Sequence, residues 1–279
     1  MKILVTGFEP FGSHHSNPSW DAVEALPEEI EGVQIVKRNL PVSFRRFSAP
    51  LEAAIEEERP DGLICVGLAG GENKVSVERV GINLMEARIP DNDGFQPFDT
   101  PICPDGDTAY FSTLPVKRMA KAVESRGIAC CVSYSAGTFV CNAALYTGLY
   151  LSSRRYHFMK CCFIHVPYDE TMEEALAGQP FMKRETLTEA LTAAAGEAAR
   201  ALKAGKESGD CIWRHMASPW NADRMVQIQK QKGNCHMILI KGVHMFAPQD
   251  MGIKDVLVGG TKILKIGDNL PAEEAYGVE

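Results

Sequence analysis

The sequence predicts an α/β fold in which helices cover a central sheet, followed by a short β-rich segment. Short apolar runs rich in Val and Ile alternate with segments whose apolar residues recur at helical spacing. The 279 residues are 45% hydrophobic and 23% charged, which is ordinary for a globular protein. After about Gly205 the pattern changes to short strand-like runs broken by Gly, Pro and Asp. We therefore expect one domain over residues 1–205 and a β-rich tail over 206–279, with the boundary at 205–212.

The predicted elements alternate between strand and helix along the first domain. Asn17 before Pro18 places an N-cap side chain ahead of a proline at the first helical position, where a missing N–H costs nothing. Pro115 opens the third predicted helix in a similar way, and Gly127 follows its end. The predicted strands cover residues 2–6, 33–39, 62–67, 74–85, 128–133 and 160–166. The predicted helices cover residues 18–26, 43–58, 115–126, 140–152 and 185–204.

Charge and composition exclude several classes of function. The net charge of −7 and the pI near 5.6 argue against a nucleic-acid-binding surface, which would need a basic patch. No apolar run reaches the ~18–20 residues of a membrane span, and the first residues are interrupted too soon for a signal peptide. We therefore expect a cytoplasmic protein that binds neither nucleic acid nor membrane. Its nine cysteines are then expected to be reduced thiols, and no C-x-x-C pair indicates a zinc ribbon.

The loop after the first predicted strand, VTGFEPFGSHHSNPSW over residues 5–20, carries two phenylalanines between two glycines. The glycines have the G-x4-G spacing of a P-loop, but Ser13-His14 follows where a P-loop has Lys and then Ser or Thr. Two bulky rings would also crowd a backbone that wraps a phosphate. Adjacent His14 and His15 point in divergent directions, which disfavours a metal site. The loop therefore favours an apolar ring as the group that it holds.

A second stretch, SYSAGTFVCNAALYTGLY over residues 133–150, joins a predicted strand to a predicted helix. Cys141 lies near this junction, where free backbone N–H groups and the helix dipole favour an anion. Both effects lower the pKa of a thiol and favour the oxyanion of acyl transfer. Ser135 is a poor nucleophile candidate, because the G-x-S-x-G motif would need glycine where Ser133 stands. Two interpretations of Cys141 stay open at this point, a nucleophile or a small buried hydrophobe.

A base and an orienting carboxylate for such a thiol are available on two other predicted strands. His165 closes the strand in KCCFIHVPY, and α/β enzymes often place catalytic groups at a strand exit. Glu78 is a charge inside the alternating strand VSVERVGIN, and a carboxylate can fix the tautomer of an imidazole. The alternatives are a histidine that is merely satisfied at a strand end and a glutamate that is solvated or paired with Arg79. Each signal is weak alone, and together they indicate acyl transfer.

Five motifs of the first 205 residues resemble those of one family, pyroglutamyl peptidase I, whose members are cytosolic cysteine peptidases. The motifs are TGFEPFG…NPSW, GLAGG…VSVERVGIN, ARIPDNDG, SAGTFVCNAALY and FIHVPY, in the family's order and spacing. The resemblance implies a three-layer α/β/α sandwich around a twisted mixed sheet. It also implies an omega-peptidase that removes N-terminal pyroglutamate (5-oxoproline) from peptides through a thioacyl-enzyme intermediate. No cofactor or metal is implied, and a homo-oligomer is expected.

The resemblance also assigns roles to residues of this sequence. Cys141 matches the nucleophile, His165 the general base and then acid, and Glu78 the orienting carboxylate. The substrate-binding positions are matched by Phe8, Phe11, Asn17, Leu68, Arg88 and Phe139. A neutral lactam without a free α-amine is suited to aromatic walls and a few directed hydrogen bonds, so these residue types agree with the implied substrate.

Two departures from the family's pattern concern substrate recognition. Leu68 stands where many bacterial members have Gln. A substrate contact through the main chain would persist there, whereas a contact through the side chain would change affinity or selectivity. Asp169-Glu170 replaces a more apolar continuation after the histidine motif, so the resemblance does not predict the rim beyond the pocket.

The C-terminal segment LIKGVHMFAPQDMGIKDVLVGGTKILKIGDNL, within residues 237–270, resembles the opening β-strands of an isoaspartyl dipeptidase or a related amidohydrolase. The H-x-H zinc motif of that family is missing from it. We therefore expect residues 206–279 to be a truncated fragment without activity of its own. The alternative is a genuine β-rich appendage that docks on the core or assists oligomerisation.

Two other functions stay open on the residues alone. A non-catalytic protein that binds small lactams or acylated peptides would use the same aromatic pocket. A zinc hydrolase using His14, His15 and His165 would be sensitive to chelators. Only a catalytic thiolate should react with iodoacetamide much faster than the other cysteines, which separates a peptidase from a binding protein.

Overall fold

The structure, a computed structural model, describes residues 1–207 and the backbone of three later strands, at 237–246, 250–259 and 262–267. The chain divides into two compact units, Met1–Cys211 and Ile212–Glu279. Most of the predicted boundary at 205–212 lies outside the described residues. Among the helices of the described part, none combines the length and the apolar character that a bilayer span needs.

Strands and helices alternate through the first unit, as the sequence pattern predicts. Its strands are β1 (Lys2–Phe8), β2 (Glu29–Ile30), β3 (Val33–Leu40), β4 (Gly62–Leu68), β5 (Val75–Glu78), β6 (Val80–Ile82), β7 (Ala109–Phe111), β8 (Cys130–Ser133), β9 (Lys160–Val166), β10 (Tyr168–Asp169) and β11 (Phe181–Met182). Its helices are α1 (Pro18–Glu24), α2 (Ser48–Glu58), α3 (Val116–Glu124), α4 (Val140–Arg154), α5 (Glu173–Leu176) and α6 (Arg184–Glu207).

A seven-stranded mixed sheet forms the centre of the first unit. Its strand order is β2-β3-β1-β4-β9-β5-β8. Most neighbouring strands are parallel, but β5 runs antiparallel to β9, and β2 runs antiparallel to β3. The exit of β9 therefore lies between the exit of β4 and the residues of β5, and this position brings side chains of all three strands together.

Helices cover both faces of this sheet, so the predicted three-layer α/β/α sandwich is confirmed. Alternate residues of a strand point to opposite faces. In β9, for example, Ile164 enters one core and Phe163 enters the other. The first core is completed by α1, α3 and α6, and the second by α2 and α4. The helical spacing of Leu, Ala and Val in these segments is what lets each helix bury one face.

Two predicted elements differ from the observed ones. The single predicted strand at 74–85 is two strands, because the chain turns away from the central sheet at Arg79. After that residue, β6 pairs antiparallel with β7 instead of with the sheet. The predicted helix at 43–58 begins only at Ser48. Pro50 has no N–H to donate, so it fits the first turn of a helix but not its interior.

The described strands of the second unit form a small antiparallel sheet of their own. They are β12 (Met237–Phe246), β13 (Asp250–Gly259) and β14 (Lys262–Gly267), in that order across the sheet. Irregular register occurs in both pairings. The strands fall in the segment whose sequence predicts short strands broken by Gly, Pro and Asp.

Candidate active site

Helix α4 positions Cys141 in its first turn. The N-cap residue Phe139 has an extended backbone and supplies no capping side chain, so N–H groups of the first turn are not satisfied by a cap. The half-buried sulfur lies directly against β4, where a Cβ at Gly67 would be only 2.7 Å from Cys141 Sγ. Only glycine therefore lets the strand pass this close to the thiol.

Strands β9 and β5 bring His165 and Glu78 together. Ser76 is the direct cross-strand partner of His165, and Glu78 lies two residues further along the same face. The imidazole Nδ1–H donates to Glu78 Oε1 over 2.8 Å. Both side chains are buried, with Glu78 only 1% exposed. The carboxylate therefore fixes the tautomer that leaves Nε2 of His165 for the thiol.

Electrostatic interactions around His165 favour its protonated form. Burial lowers the pKa of the imidazole, but the negative charge of Cys141, its hydrogen bond to the ring and the Glu78 carboxylate together raise the pKa to about 9. The second oxygen of Glu78, Oε2, is buried and has no hydrogen-bond partner among the described residues. A protonated imidazole between a carboxylate and a sulfur is the arrangement that stabilises a thiolate.

These three residues open into one cavity of about 1000 Å³. The structure brings all nine sequence-predicted site residues to its wall. They are Phe8, Phe11, Asn17, Leu68, Glu78, Arg88, Phe139, Cys141 and His165. The residues come from six different parts of the chain, so only the folded sheet and its loops can assemble the set.

Aromatic rings form one side of the cavity. Phe11 and Phe139 make an edge-to-face contact with centroids 5.4 Å apart, and Phe44 packs against Phe139 from behind at 5.2 Å. Phe8 is only 2% exposed and belongs to the second core, so it supports the wall more than it offers free surface. Phe44 was not among the predicted residues.

Asn17 caps α1, as predicted, and retains limited capacity for a ligand. Its Oδ1 accepts from both the N–H and the hydroxyl of Ser19, and its Nδ2 donates to the carbonyl of Glu9. One N–H of the amide is therefore left for a bound molecule. Leu68 ends β4 beside Val166, and its side chain is half-buried at the cavity wall.

The rim of the cavity carries charged residues. Arg88 is exposed and forms no ion pair with any residue in the described part of the chain. Glu72 and Glu86 are exposed at the same cavity. The Thr138 hydroxyl donates to the Glu86 carbonyl, which ties the loop before α4 to the loop that carries Arg88.

The divergent pair Asp169-Glu170 lies outside the cavity wall and anchors a segment next to it. Asp169 is fully buried and accepts from Thr171 and from the guanidinium of Arg184. Burial raises the pKa of its carboxyl, but these hydrogen bonds outweigh that effect and lower the pKa overall. The Arg184 side chain also lies 2.9 Å from Asp21 in α1. The segment between β9 and α6 is therefore fastened to two helices.

Sequence reasoning missed several residues of the cavity wall, among them Tyr168 and His14. His14 was expected to be a bystander, but it lines the cavity and contacts Glu174 in α5 at 2.6 Å. His15 is exposed and lies outside the wall. Within the described residues, no three His, Cys, Asp or Glu side chains are arranged to hold a metal. Glu174 lies 160 residues after His14, so no pattern in the sequence around His14 predicts this contact.

Comparison with known proteins identifies a family that matches the catalytic part of the chain. The family model described as "Pyroglutamyl peptidase" matches residues 1–201. The pyrrolidone-carboxylate peptidase of Thermosipho melanesiensis is 45% identical over 191 residues, which are 68% of this chain and 95% of that protein. The enzyme of the same name from Thermococcus kodakarensis is 47% identical over 192 residues, 68% of this chain and 92% of that one.

Solved structures are similar over the same part of the chain. The crystal structure of Bacillus amyloliquefaciens pyroglutamyl peptidase I has a TM-score of 0.69 and 42% identity, and it covers 71% of this chain and 97% of that one. A mutant pyrrolidone carboxyl peptidase from Pyrococcus furiosus has a TM-score of 0.70 and 40% identity, with 72% of this chain and all of that chain covered.

Proposed function

The chain belongs to the pyroglutamyl peptidase family, and we propose that it cleaves the amide bond after an N-terminal pyroglutamate with Cys141, His165 and Glu78. It is a cysteine peptidase, and its relatives at 45–48% identity are named pyrrolidone-carboxylate peptidases. One observation carries the assignment of roles. At the wall of an aromatic-sided cavity, a buried carboxylate is hydrogen-bonded to an imidazole, and a thiol at the start of a helix interacts with the same imidazole.

In the acylation step, the Cys141 thiolate attacks the carbonyl carbon of the scissile amide. The negative charge that develops on the carbonyl oxygen lies near the start of α4, where first-turn N–H groups favour an anion. His165 then gives its proton to the amine, because the departing nitrogen must leave as a neutral group. The products of this step are a free peptide and a pyroglutamyl thioester on Cys141.

In the deacylation step, a water molecule attacks the thioester carbonyl. His165, now neutral, takes one proton of that water, and Glu78 holds the ring so that Nε2 faces the reaction. Collapse of the second tetrahedral intermediate breaks the carbon–sulfur bond. Free pyroglutamate leaves, and the thiolate–imidazolium pair is restored.

For the substrate itself, we propose that the lactam ring packs against the Phe11–Phe139 wall. Phe8 and Leu68 close that side, the spare N–H of Asn17 offers one directed hydrogen bond, and Arg88 lies at the rim. An uncharged lactam needs no carboxylate anchor of the kind that an aminopeptidase uses. A prolyl group has the same ring without the lactam carbonyl, so it should bind this wall without the directed bond.

A Cys141→Ser substitution tests the proposed chemistry. We expect release of p-nitroaniline from pyroglutamyl-p-nitroanilide to fall by about 10³-fold or more, because an alcohol at this position is a much weaker nucleophile than a thiolate. Cys103→Ser, which alters a half-buried thiol outside the cavity, is the matched control and should keep full activity. Undiminished turnover by Cys141→Ser would disprove the assignment.

Thiol alkylation gives a second readout of the same proposal. Burial raises the pKa of the Cys65 thiol to about 12, and the pKa values of the buried Cys161 and Cys162 are raised well above the ordinary value for a thiol. Iodoacetamide should therefore modify Cys141 first and abolish activity in proportion. A protein that only binds lactams would need no such thiol, and the peptidase relatives do not favour that function.

Location, assembly and the C-terminal residues are further parts of the proposal. We propose a cytoplasmic enzyme whose substrates are peptides with N-terminal pyroglutamate. Phe98 and Leu176 are about four-fifths exposed, which supports a homo-oligomer that covers such surface. We also propose that residues 206–279 form a separate unit without catalytic activity of its own, related to the opening strands of an amidohydrolase.

A further inference from the structure

His14 and Tyr168 line the cavity but have no part in the acyl transfer described above. The imidazole Nε2 of His14 is 2.6 Å from Glu174 Oε1, so the ring is held by a carboxylate in the same way as the ring of His165. Burial raises the pKa of Glu174, but its hydrogen bonds with His14 and with the backbone and its electrostatic interaction with His14 together outweigh burial and lower the pKa overall. An ionised carboxylate only accepts hydrogen bonds, so Nε2 of His14 carries a proton.

Tyr168 lines the same cavity and lies near enough to Glu174 for the charge of that carboxylate to act on its phenol. A Cβ at Gly70 would be 2.2 Å from the Tyr168 hydroxyl oxygen, so the ring packs directly on that glycine. Burial and the nearby charge of Glu174 raise the pKa of Tyr168, which keeps the phenol protonated. Its hydroxyl has no hydrogen-bond partner among the described residues.

The chain limits the distance of Tyr168 from the reacting atoms. Tyr168 follows His165 by three residues, and Gly70 follows Gly67, which touches the Cys141 sulfur, by three residues. Three extended residues span at most ~10 Å. A peptide that leaves the cavity covers the same distance with its first two or three residues. The His14 side chain is 20% exposed and lines the same cavity, so it is accessible to a bound peptide.

We propose that His14, held by Glu174, and Tyr168 form a subsite for the main chain of the peptide that follows the pyroglutamate. The inference rests on the proposed peptidase function and concerns the leaving side of the same cavity. The Nε2–H tautomer of His14 offers Nδ1 as an acceptor, and Tyr168 offers an O–H donor. A peptide amide presents one N–H and one C=O, which complements this pair without any requirement for a particular side chain.

The test compares two substrates that share the pyroglutamyl group and differ in the leaving group. Pyroglutamyl-p-nitroanilide has no peptide bond after the scissile amide, whereas pyroglutamyl-Ala-Ala-amide has one peptide bond and a terminal carboxamide. His14→Ala and Tyr168→Phe should each lower kcat/KM for the peptide about three- to tenfold, the value of one net hydrogen bond. Each should change kcat/KM for the anilide less than about twofold. His15→Ala, an exposed neighbour outside the cavity, is the matched control for both substrates.

Glu174 is a positioning residue in this proposal, because it acts through His14. Glu174→Ala should reduce peptide turnover as His14→Ala does, and the double variant should show no further loss. Equal losses of kcat/KM on both substrates would mean that these residues only support the fold. Unchanged kcat/KM for the peptide would mean that they do not contact it. Either outcome overturns the subsite. Inactivity of the unaltered protein on both substrates would instead refute the proposed function.

Discussion

Glu78 is the buried carboxylate that holds the His165 ring and, together with Cys141, raises its pKa. A carboxylate that is 1% exposed is costly to bury unless a partner compensates, and His165 at 2.8 Å is its only hydrogen-bonding partner among the described side chains. Because Oε2 of Glu78 has no hydrogen-bond partner among the described residues, the carboxylate interacts through Oε1 with the His165 ring alone. A structural ion pair would be satisfied more fully, so this arrangement is better explained by function than by stability.

Glu78→Gln should therefore change the pH profile of activity. The pKa of His165 is raised to about 9, so the imidazolium needed to protonate the leaving amine is present at neutral pH and lost as the pH rises through 9. Removal of the carboxylate charge lowers this pKa, so the alkaline limb of kcat/KM should move to lower pH. We also expect a loss of order 10²–10⁴ at pH 7, because an unoriented ring is a poorer acid and base.

The matched control for that substitution is Glu86→Gln, which removes a carboxylate from the exposed rim of the same cavity. Its alkaline limb should stay where it is in the unaltered protein. An unmoved limb in Glu78→Gln, measured over pH 6 to 10 with pyroglutamyl-p-nitroanilide, would contradict the role assigned to the carboxylate.

At the residue scale, side chains within recognisable motifs could be predicted from the sequence, and those outside them could not. Cys141 and His165 lie in short segments whose pattern indicates their chemistry. The position of Phe8, in the core rather than on the free wall, depends on packing that residue type does not reveal. The contact of His14 with Glu174 joins two loops whose order along the chain contains no hint that they meet.

At the element scale, two helical glycines predict opposite effects of the same substitution. A Cβ at Gly196 in α6 would meet its nearest neighbours at 3.6 Å, an ordinary contact. Gly196→Ala should raise the free energy of unfolding by about 0.5–1 kcal/mol through helix propensity. A Cβ at Gly148 in α4 would be 2.8 Å from Cys161 Sγ, so overpacking of about 1–3 kcal/mol should outweigh that gain.

Urea denaturation of the two variants beside the unaltered protein measures both changes. The expected midpoints are higher for Gly196→Ala and lower for Gly148→Ala, with similar slopes. Two higher midpoints would show that helix propensity alone determines the stability change at both sites, and two lower midpoints would show that packing does. The comparison therefore tests the close contact between α4 and the sheet, which also sets where Cys141 lies.

Element boundaries were less predictable than the elements themselves, for identifiable reasons. Apolar residues recur on both sides of Arg79, at Val77 and at Val80, so the pattern gives no sign that the chain changes partner strands there. The start of α2 depends on Pro50, whose missing N–H marks a limit that apolar spacing does not register. Periodicity reports which face is buried, whereas the partner strand is decided by the whole sheet.

At the scale of the whole molecule, the residues described for the cavity all lie between positions 8 and 168, and the family match ends at residue 201. Helix α6 completes the first core with residues up to Ala199. Residues 206–279 carry equal numbers of acidic and basic side chains, so the net charge of −7 belongs to the rest of the chain. Among the residues that the structure describes, the cavity wall and both cores of the first unit are therefore built from positions before 207.

A chain that ends after Glu207 should then keep kcat/KM for pyroglutamyl-p-nitroanilide within about twofold and keep its unfolding midpoint, because no side chain of the cavity or of either described core is removed. A chain that ends after Ala190 is the contrasting variant. It loses the buried residues Leu191, Ala194 and Ala198, and their loss should cost several kcal/mol of burial and abolish folding. Loss of activity in the longer variant, with its midpoint unchanged, would show that the tail contributes to the site and would reject its proposed independence.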